Sequence, residues 1–381
     1  MLVGILAMVV LTPLSAAKAY DPRHIFVTNR GANNILELDE SLTLVRTLFA
    51  SDGLAAPNGM AFTPDGALWV ADTSNNRILA FNIAGVQIGS IDTATRLGPQ
   101  VESIYFGGDG TLYASSNPGL GVVARYTITR DPLADVVANA VFSNLGNVNL
   151  TNSGRVLVSD FSGAMRGLRE LDPATGTITA TFGTDLGRQE DVMVDGADRM
   201  FVSHFQGNEI VVFGADRAEL YRFTAPATEP LPLASPTGIA LTYDCRILVV
   251  SFTNGTLFEW RHRGSEPPEF VGSTTIPGLS QPESLAVAGL ALPGGFVEFT
   301  DVVPRCDPPL VMPDAGTAID AGTPDAGRID SGSDAGGGRR VLPAPSSCGC
   351  RAVGRGGETD VGFVLVAMVI GLAGMRRRAR T

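Results

Sequence analysis

Residues 57–81 open with Pro57-Asn58-Gly59-Met60-Ala61-Phe62 and a turn pair, Asp65-Gly66. They continue with Leu68-Trp69-Val70-Ala71-Asp72 and Asn75-Asn76-Arg77-Ile78-Leu79-Ala80-Phe81. The apolar residues come in short runs parted by turn residues, which is the period of strands and not of helices. Working outward, the apolar residue at Met60 returns as Ile104, Val148, Val192, Ile239 and Leu285, at gaps of 44, 44, 44, 47 and 46 residues. A fixed period of this length, with several short strands in each copy, predicts a β-propeller in which each repeat is one blade. Asp109-Gly110 and Ser153-Gly154 repeat the first turn, and Gly207-Asn208 and Asn254-Gly255 repeat the second. These residues supply the positive φ that tight hairpins need. The repeats contain no sustained helical stripe, which excludes a doubly wound α/β sheet.

The array also predicts its own closure. Ile25-Phe26-Val27-Thr28-Asn29 matches Leu68–Asp72 but has no opening strand before it. Pro282-Glu283-Ser284-Leu285-Ala286-Val287 is an opening strand with no blade after it. Pairing the two completes a blade and removes the exposed sheet edges at the seam. The expectation is an all-β fold, a six-bladed β-propeller over residues 20–306. Phe296-Val297-Glu298-Phe299 has no place among six blades and makes seven the alternative.

The phrase P-x-G-[apolar]-A, D-G-x-[apolar]-[aromatic]-V-A-D, N-R-[apolar] resembles the NHL repeat family, closely in residues 57–81 and more loosely over 24–290. The resemblance implies the propeller fold. That fold serves binding scaffolds, lyases and lactonases alike, so it does not choose a function.

Both ends of the chain read as addresses. An apolar run over residues 2–14 followed by Ala17-Lys18-Ala19 reads as a signal peptide spanning residues 1–19. Residues 307–347 are rich in Asp, Ala, Gly and Pro, with Asp-Ala-Gly at 314–316, 320–322, 325–327 and 334–336. Such a composition buries too little apolar surface to offset chain entropy, so a disordered linker is expected. Residues 348–381 hold Cys348-Gly349-Cys350, an apolar stretch Val361–Met375 and Arg376-Arg377-Arg378-Ala379-Arg380. The stretch predicts a short C-terminal transmembrane helix, below the ~20 residues of a stable span, with its arginines on the cytoplasmic side. This order resembles the MYXO-CTERM sorting tail of myxobacterial surface proteins. The resemblance implies an exported protein at the outer cell surface, and a sorting protease that removes the tail. Cys348 or Cys350 would then be the processing or lipidation position. A short anchor that is never cut is the alternative.

Composition narrows the chemistry. A net charge of −11 and a pI near 4.8 argue against nucleic acid as a partner. The single lysine is Lys18, inside the signal peptide, which removes Schiff-base and P-loop chemistry from the mature chain. Outside the tail the cysteines are Cys245 and Cys306, and a disulfide between them is expected in an exported protein, two unpaired thiols being the alternative.

Equivalent positions of successive blades converge on a central channel, and the repeat register extracts two polar sets. Asn29, Asp72, Ser116, Asp160, His204 and Ser251 end the second strand of each blade. Asn58, Glu102, Gly146, Glu190, Thr237 and Glu283 precede the opening strand, with carboxylates on alternate blades. In one reading Glu102, Glu190 and Glu283 hold a hard cation such as Ca2+. Such an ion would polarise a lactone or ester carbonyl, as in gluconolactonase-like propellers. In the other, these polar residues terminate strands and bond to backbone or channel water. Of His24, His204 and His262 just His204 falls in channel register, with His24 near the edge of the first strand and His262 in a strand-end turn. A three-histidine zinc site is therefore excluded, and no G-x-S-x-G elbow supports a serine triad. Two functions remain. One is a binding scaffold for an extracellular protein, glycan or small ligand, using loops such as 116–121 and 161–163. The other is a metal-dependent lactonase, esterase or lyase acting in the channel.

Overall fold

The computed structural model describes residues 23–288 and Cys306, apart from 49–52, 64–65, 83–84, 119, 139–141, 143, 162–165 and 243. The signal peptide, linker, sorting tail and Phe296–Phe299 lie outside the described residues. Within them, 24 strands form six four-stranded sheets. Five blades are continuous in sequence, at 57–92, 101–138, 145–182, 189–223 and 236–275, and are called blades 2 to 6. Blade 1 is composite: Pro282–Val287 lies innermost, followed outward by Ile25–Asn29, Asn34–Leu38 and Leu44–Leu48. Ile25 pairs with Val287, Phe26 with Ala286 and Val27 with Leu285, all antiparallel. Gly31 N donates to Ser280 O at 2.9 Å just beyond the seam. The ring closes with six blades.

The innermost strands are Pro57–Phe62, Val101–Phe106, Leu145–Leu150, Gln189–Val194, Pro236–Leu241 and Pro282–Val287, each beside those of its two neighbours. Apolar side chains fill the wedge between blades because strand faces alternate and both faces of each inner sheet are covered. Trp69 of blade 2 meets Phe106 of blade 3 edge-on at 5.4 Å, and Phe182 of blade 4 meets Phe213 of blade 5 at 5.1 Å. Such side chains each contribute about 1.5–3 kcal/mol through burial.

The first hairpin turn of each of blades 2 to 6 needs a left-handed residue. Gly66, Gly110 and Gly154 supply it at φ of 85°, 79° and 77°, while Asp198 and Cys245 hold the equivalent place at 60° and 64°. Cys245 is bonded to Cys306, with Cα atoms 5.4 Å apart. The crosslink ties the chain beyond the ring to blade 6. In blade 3 the outermost strand described is Val137–Ala138.

Candidate functional site at the channel mouth

Each innermost strand is irregular at the same place. The register shifts between Pro57 and Met60, Val101 and Ile104, Leu145 and Val148, Gln189 and Val192, and Pro236 and Ile239. In blade 1 it shifts opposite Pro282 and Leu285. A bulge bends the strand and re-aims its side chains. Two residues per blade therefore sit in irregular backbone at the start of the inner strand.

The first of the two is the set Asn58, Glu102, Gly146, Glu190, Thr237 and Glu283. Glu102 and Glu283 are buried, and the Glu190 side chain is 5 % exposed. Burial pushes the Glu102 carboxyl up to about 8; the Glu283 charge adds to the rise, while Arg30, Arg188 and the Asn58 amide oppose it. Burial likewise lifts Glu190 to about 8, opposed by Arg188 and reinforced by Glu283, Glu102 and Asp191. Glu283 is raised by burial against the pull of Arg30. Glu102 and Glu190 thus both sense the Glu283 charge, and Glu190 senses that of Glu102. Arg30 Nη1 donates to Glu283 Oε1 at 2.6 Å, and Arg188 forms an ion pair with Glu190. Thr237 Oγ1 donates to Pro282 O at 2.8 Å, joining blade 6 to blade 1.

The second bulge residue was not singled out in the sequence: Gly59, Ser103, Asn147, Asp191, Gly238 and Ser284. These positions hold neighbouring blades together. Asn147 Nδ2 donates to Ser103 Oγ at 3.3 Å and to Asp191 Oδ1 at 2.7 Å, linking blades 3, 4 and 5. Asp191 Oδ2 accepts from Ile239 N of blade 6 at 3.0 Å. Burial raises the Asp191 carboxyl to about 6 against these hydrogen bonds. Where the set has glycine, the next strand comes too close for a side chain. A Cβ on Gly59 would stand 2.7 Å from Ser103 Cα, and one on Gly238 2.6 Å from Leu285 N.

The set that ends the second strands latches the loop leading into each inner strand. Asn29 Nδ2 donates to Gly278 O at 2.8 Å and its Oδ1 accepts from Ser280 N at 2.7 Å. Asp72 Oδ1 accepts from Ala55 N at 2.6 Å, and Arg77 Nε donates to its Oδ2 at 2.7 Å. Ser116 Oγ donates to Leu97 O and Ser251 Oγ to Ala234 O, both at 2.6 Å. His204 Nε2 accepts from Gly187 N at 3.1 Å. Asp160 is buried at the same place, and the adjacent Phe161 N donates to Asn144 O at 3.2 Å.

The residues directly after that set are Arg30, Thr73, Asn117, Phe161, Phe205 and Phe252; Thr73 is buried, its Oγ1 donating to Val101 O at 2.7 Å, and the other five form the rim. Blades 4 to 6 make it aromatic. The Arg188 guanidinium lies 5.1 Å over the Phe161 ring and 4.8 Å over the Phe205 ring, a double cation–π contact. Phe205 and Phe252 stand 5.9 Å apart. The Phe161 ring occupies the space where a side chain at Gly146 would go.

Among the described residues no group of three His, Cys, Asp or Glu side chains is placed to hold a metal ion, and Arg30 and Arg188 draw Glu283 and Glu190 into ion pairs. One expectation is corrected. His262 is not in a turn but within the strand Thr256–Arg263. It is buried there, 3.2 Å from Asp195 Oδ2 of blade 5. His24 lies beside the first strand, with Nδ1 2.6 Å from Glu37 Oε1.

The NHL repeat family matches residues 54–81. The similarity to the NHL repeat is confined to that segment. Comparison with curated proteins finds no match. Among solved structures, a protein of unknown function from Bacteroides caccae superposes with a TM-score of 0.57 at 14 % identity, covering 70 % of this chain and 98 % of that one. A chain of the nidogen/laminin complex gives 0.56 at 12 % identity, with coverage of 70 % and 98 %. A streptogramin B lyase gives 0.53 at 13 % identity, with coverage of 70 % and 84 %. At these identities the likeness is one of fold.

Proposed function

We propose that this chain is an exported β-propeller that acts as a binding module on the outer cell surface, taking an extracellular protein, glycan or small ligand at its channel mouth. The observation that carries the reading is the rim. Five of six equivalent positions on a closed ring present Arg30, Asn117, Phe161, Phe205 and Phe252, half-buried at the mouth, while the sixth, Thr73, is buried, so a symmetric scaffold displays an asymmetric surface. Function on such scaffolds resides in the loops. The side chains that end the second strands are committed to the loops behind them, which rigidifies that surface.

The exported location is supported by the signal-peptide pattern of residues 1–19 and the sorting-tail pattern of residues 348–381. Protease treatment of intact cells tests it. Peptides from residues 23–288 are released without lysis, and the surface form lacks Val361–Thr381. Release of those peptides after lysis alone overturns the reading.

A second reading is a lyase or hydrolase acting in the channel. It is favoured by Glu102 and Glu190, buried carboxyls whose proton affinity lies near neutrality, as general acid–base groups require. Turnover of a lactone or ester panel that Glu190→Gln abolishes would establish it.

A further inference from the structure

We propose that His204 is a proton-operated latch on the channel mouth: a proton on its imidazole frees the loop before the inner strand of blade 5 and lets Arg188 leave the rim. Among the described residues, four blades use the side chain that ends the second strand to cap one equivalent N–H, two residues before the inner strand. Asn29 Oδ1 accepts from Ser280 N at 2.7 Å in blade 1 and Asp72 Oδ1 from Ala55 N at 2.6 Å in blade 2. Ser251 Oγ accepts from Ala234 N at 3.2 Å in blade 6. In blade 5 the acceptor is an imidazole nitrogen, His204 Nε2, 3.1 Å from Gly187 N. A backbone N–H can only donate, so Nε2 carries no proton in this contact. The ring proton then sits on Nδ1, which faces Glu209 Oε1 at 3.1 Å. The latched ring is neutral. A second proton has one place to go, Nε2, where it would point at the Gly187 N–H, and the latch cannot close on an imidazolium.

What the latch holds is the rim. Gly187 precedes Arg188, whose guanidinium lies over the Phe161 and Phe205 rings and pairs with Glu190. Phe205 follows His204 directly, and its N donates to Arg188 O at 2.9 Å, so latch and rim share one short stretch of backbone. The charged groups around the ring are few. Glu209, opposite His204 on the next strand, attracts an imidazolium, so the ring keeps this partner when it gives up Gly187. Arg222 of the outer strand acts against that attraction by donating to the same Glu209 oxygen at 2.9 Å, and is itself paired with Asp185 and Glu219. Arg188 stands next along the loop with Glu190 as its counter-charge. Gly207 packs against the imidazole where a side chain would not fit. Asn29 and Ser251 carry no titrating group, whereas histidine changes charge between about pH 5 and about pH 8. The loop of blade 5 is thus held at neutral pH and released as pH falls.

Hydrogen–deuterium exchange of the full chain tests the latch, read by mass spectrometry at about pH 7.5 and about pH 5.5 and corrected for the intrinsic pH dependence of exchange. Protection of residues 183–188 is expected to fall roughly ten-fold at the lower pH, the effect of one lost hydrogen bond whose donor is left open. Residues 278–281, held by Asn29, keep theirs. His204→Asn places in blade 5 the side chain that does this work in blade 1, and its loop is expected to stay protected at both pH values. His204→Gln, a second amide acceptor, serves if that variant does not fold, and the comparison of the two wild-type loops needs neither. Glu190 at about 8 and Asp191 at about 6 change protonation over the same range. A loss of protection that persists in a folded His204 variant belongs to them and overturns the latch. Equal protection of residues 183–188 at the two pH values overturns it too, as does equal loosening of both wild-type loops. The surface reading is untouched by any of these results, because loop exchange is measured without a ligand and away from the cell.

Discussion

At Gly238 a methyl group would stand 2.6 Å from Leu285 N and 2.7 Å from the C and Cα atoms of Ser284. All three are backbone atoms of the innermost strand of blade 1, so no side chain can rotate away to make room. Gly238→Ala must therefore push blade 6 from blade 1 at the seam where the ring closes. Overpacking costs about 1–3 kcal/mol, and a contact made wholly with backbone belongs at about 3 kcal/mol. For a propeller of this size each kcal/mol moves Tm by about 2–4 °C, so a fall of roughly 6–12 °C is expected. Gly59→Ala meets Ser103 Cα at 2.7 Å and Glu102 O at 2.8 Å, and behaves alike between blades 2 and 3. Gly196 is the control, for its Cβ would meet nothing within 4 Å. There alanine is neutral or adds about 0.5 kcal/mol by restricting the unfolded chain. Thermal unfolding of the three variants, followed by circular dichroism at one scan rate, gives the comparison. If Gly238→Ala melts within about 2 °C of the parent, the close approach of these strands is refuted.

Removing the Cys245–Cys306 bridge, which closes a separation of 61 residues, is expected to cost about 4 kcal/mol by chain entropy; denaturant unfolding of Cys245→Ser with and without reductant measures it. Asp191→Ala leaves Ile239 N and Asn147 Nδ2 short of an acceptor and is expected to cost about 2–4 kcal/mol, read from the urea midpoint. The channel carboxyls set a pH dependence. Glu102 and Glu190 lie at about 8 and Asp191 at about 6, all above their ordinary values, so the folded state holds more protons than the unfolded one. Stability then falls as pH rises from about 5 to about 8.5, and Glu102→Gln flattens the slope; a Tm that climbs across this window contradicts the assignment.

The repeat was legible because packing between blades restricts one position per blade to apolar residues, from Met60 to Leu285, whatever varies around it. Closure was legible for a related reason: a sheet edge at Ile25–Asn29 needs a partner, and Pro282–Val287 had none other to take. The site was legible by half. Register alone placed Glu102, Glu190 and Glu283 on one ring, but spacing does not say that Arg30 and Arg188 come to meet two of them. His262 was misplaced because Arg261-His262-Arg263 reads as a polar turn. The ten-residue partner strand Glu266–Thr275 extends its strand, and Asp195 satisfies the buried ring from another blade. The inter-blade ladder of Ser103, Asn147 and Asp191 was missed because no single residue type recurs there.

A signal for that ladder was nonetheless present. The residue before each Met60-type position is Gly, Ser, Asn, Asp, Gly and Ser in turn, small or short and polar in every copy. The bulge explains the restriction. It brings neighbouring backbones close at Gly59 and Gly238 and frees N–H groups such as Ile239 N to be capped by Asp191. The same irregularity that fastens the blades also sets Glu102, Glu190 and Glu283, buried carboxyls of raised proton affinity, at the start of their strands. Fold and site therefore arise from one local feature, repeated six times and varied in side chain. Functional sites are expected where the levels of structural consistency part company, and in this ring they part at the start of the inner strands.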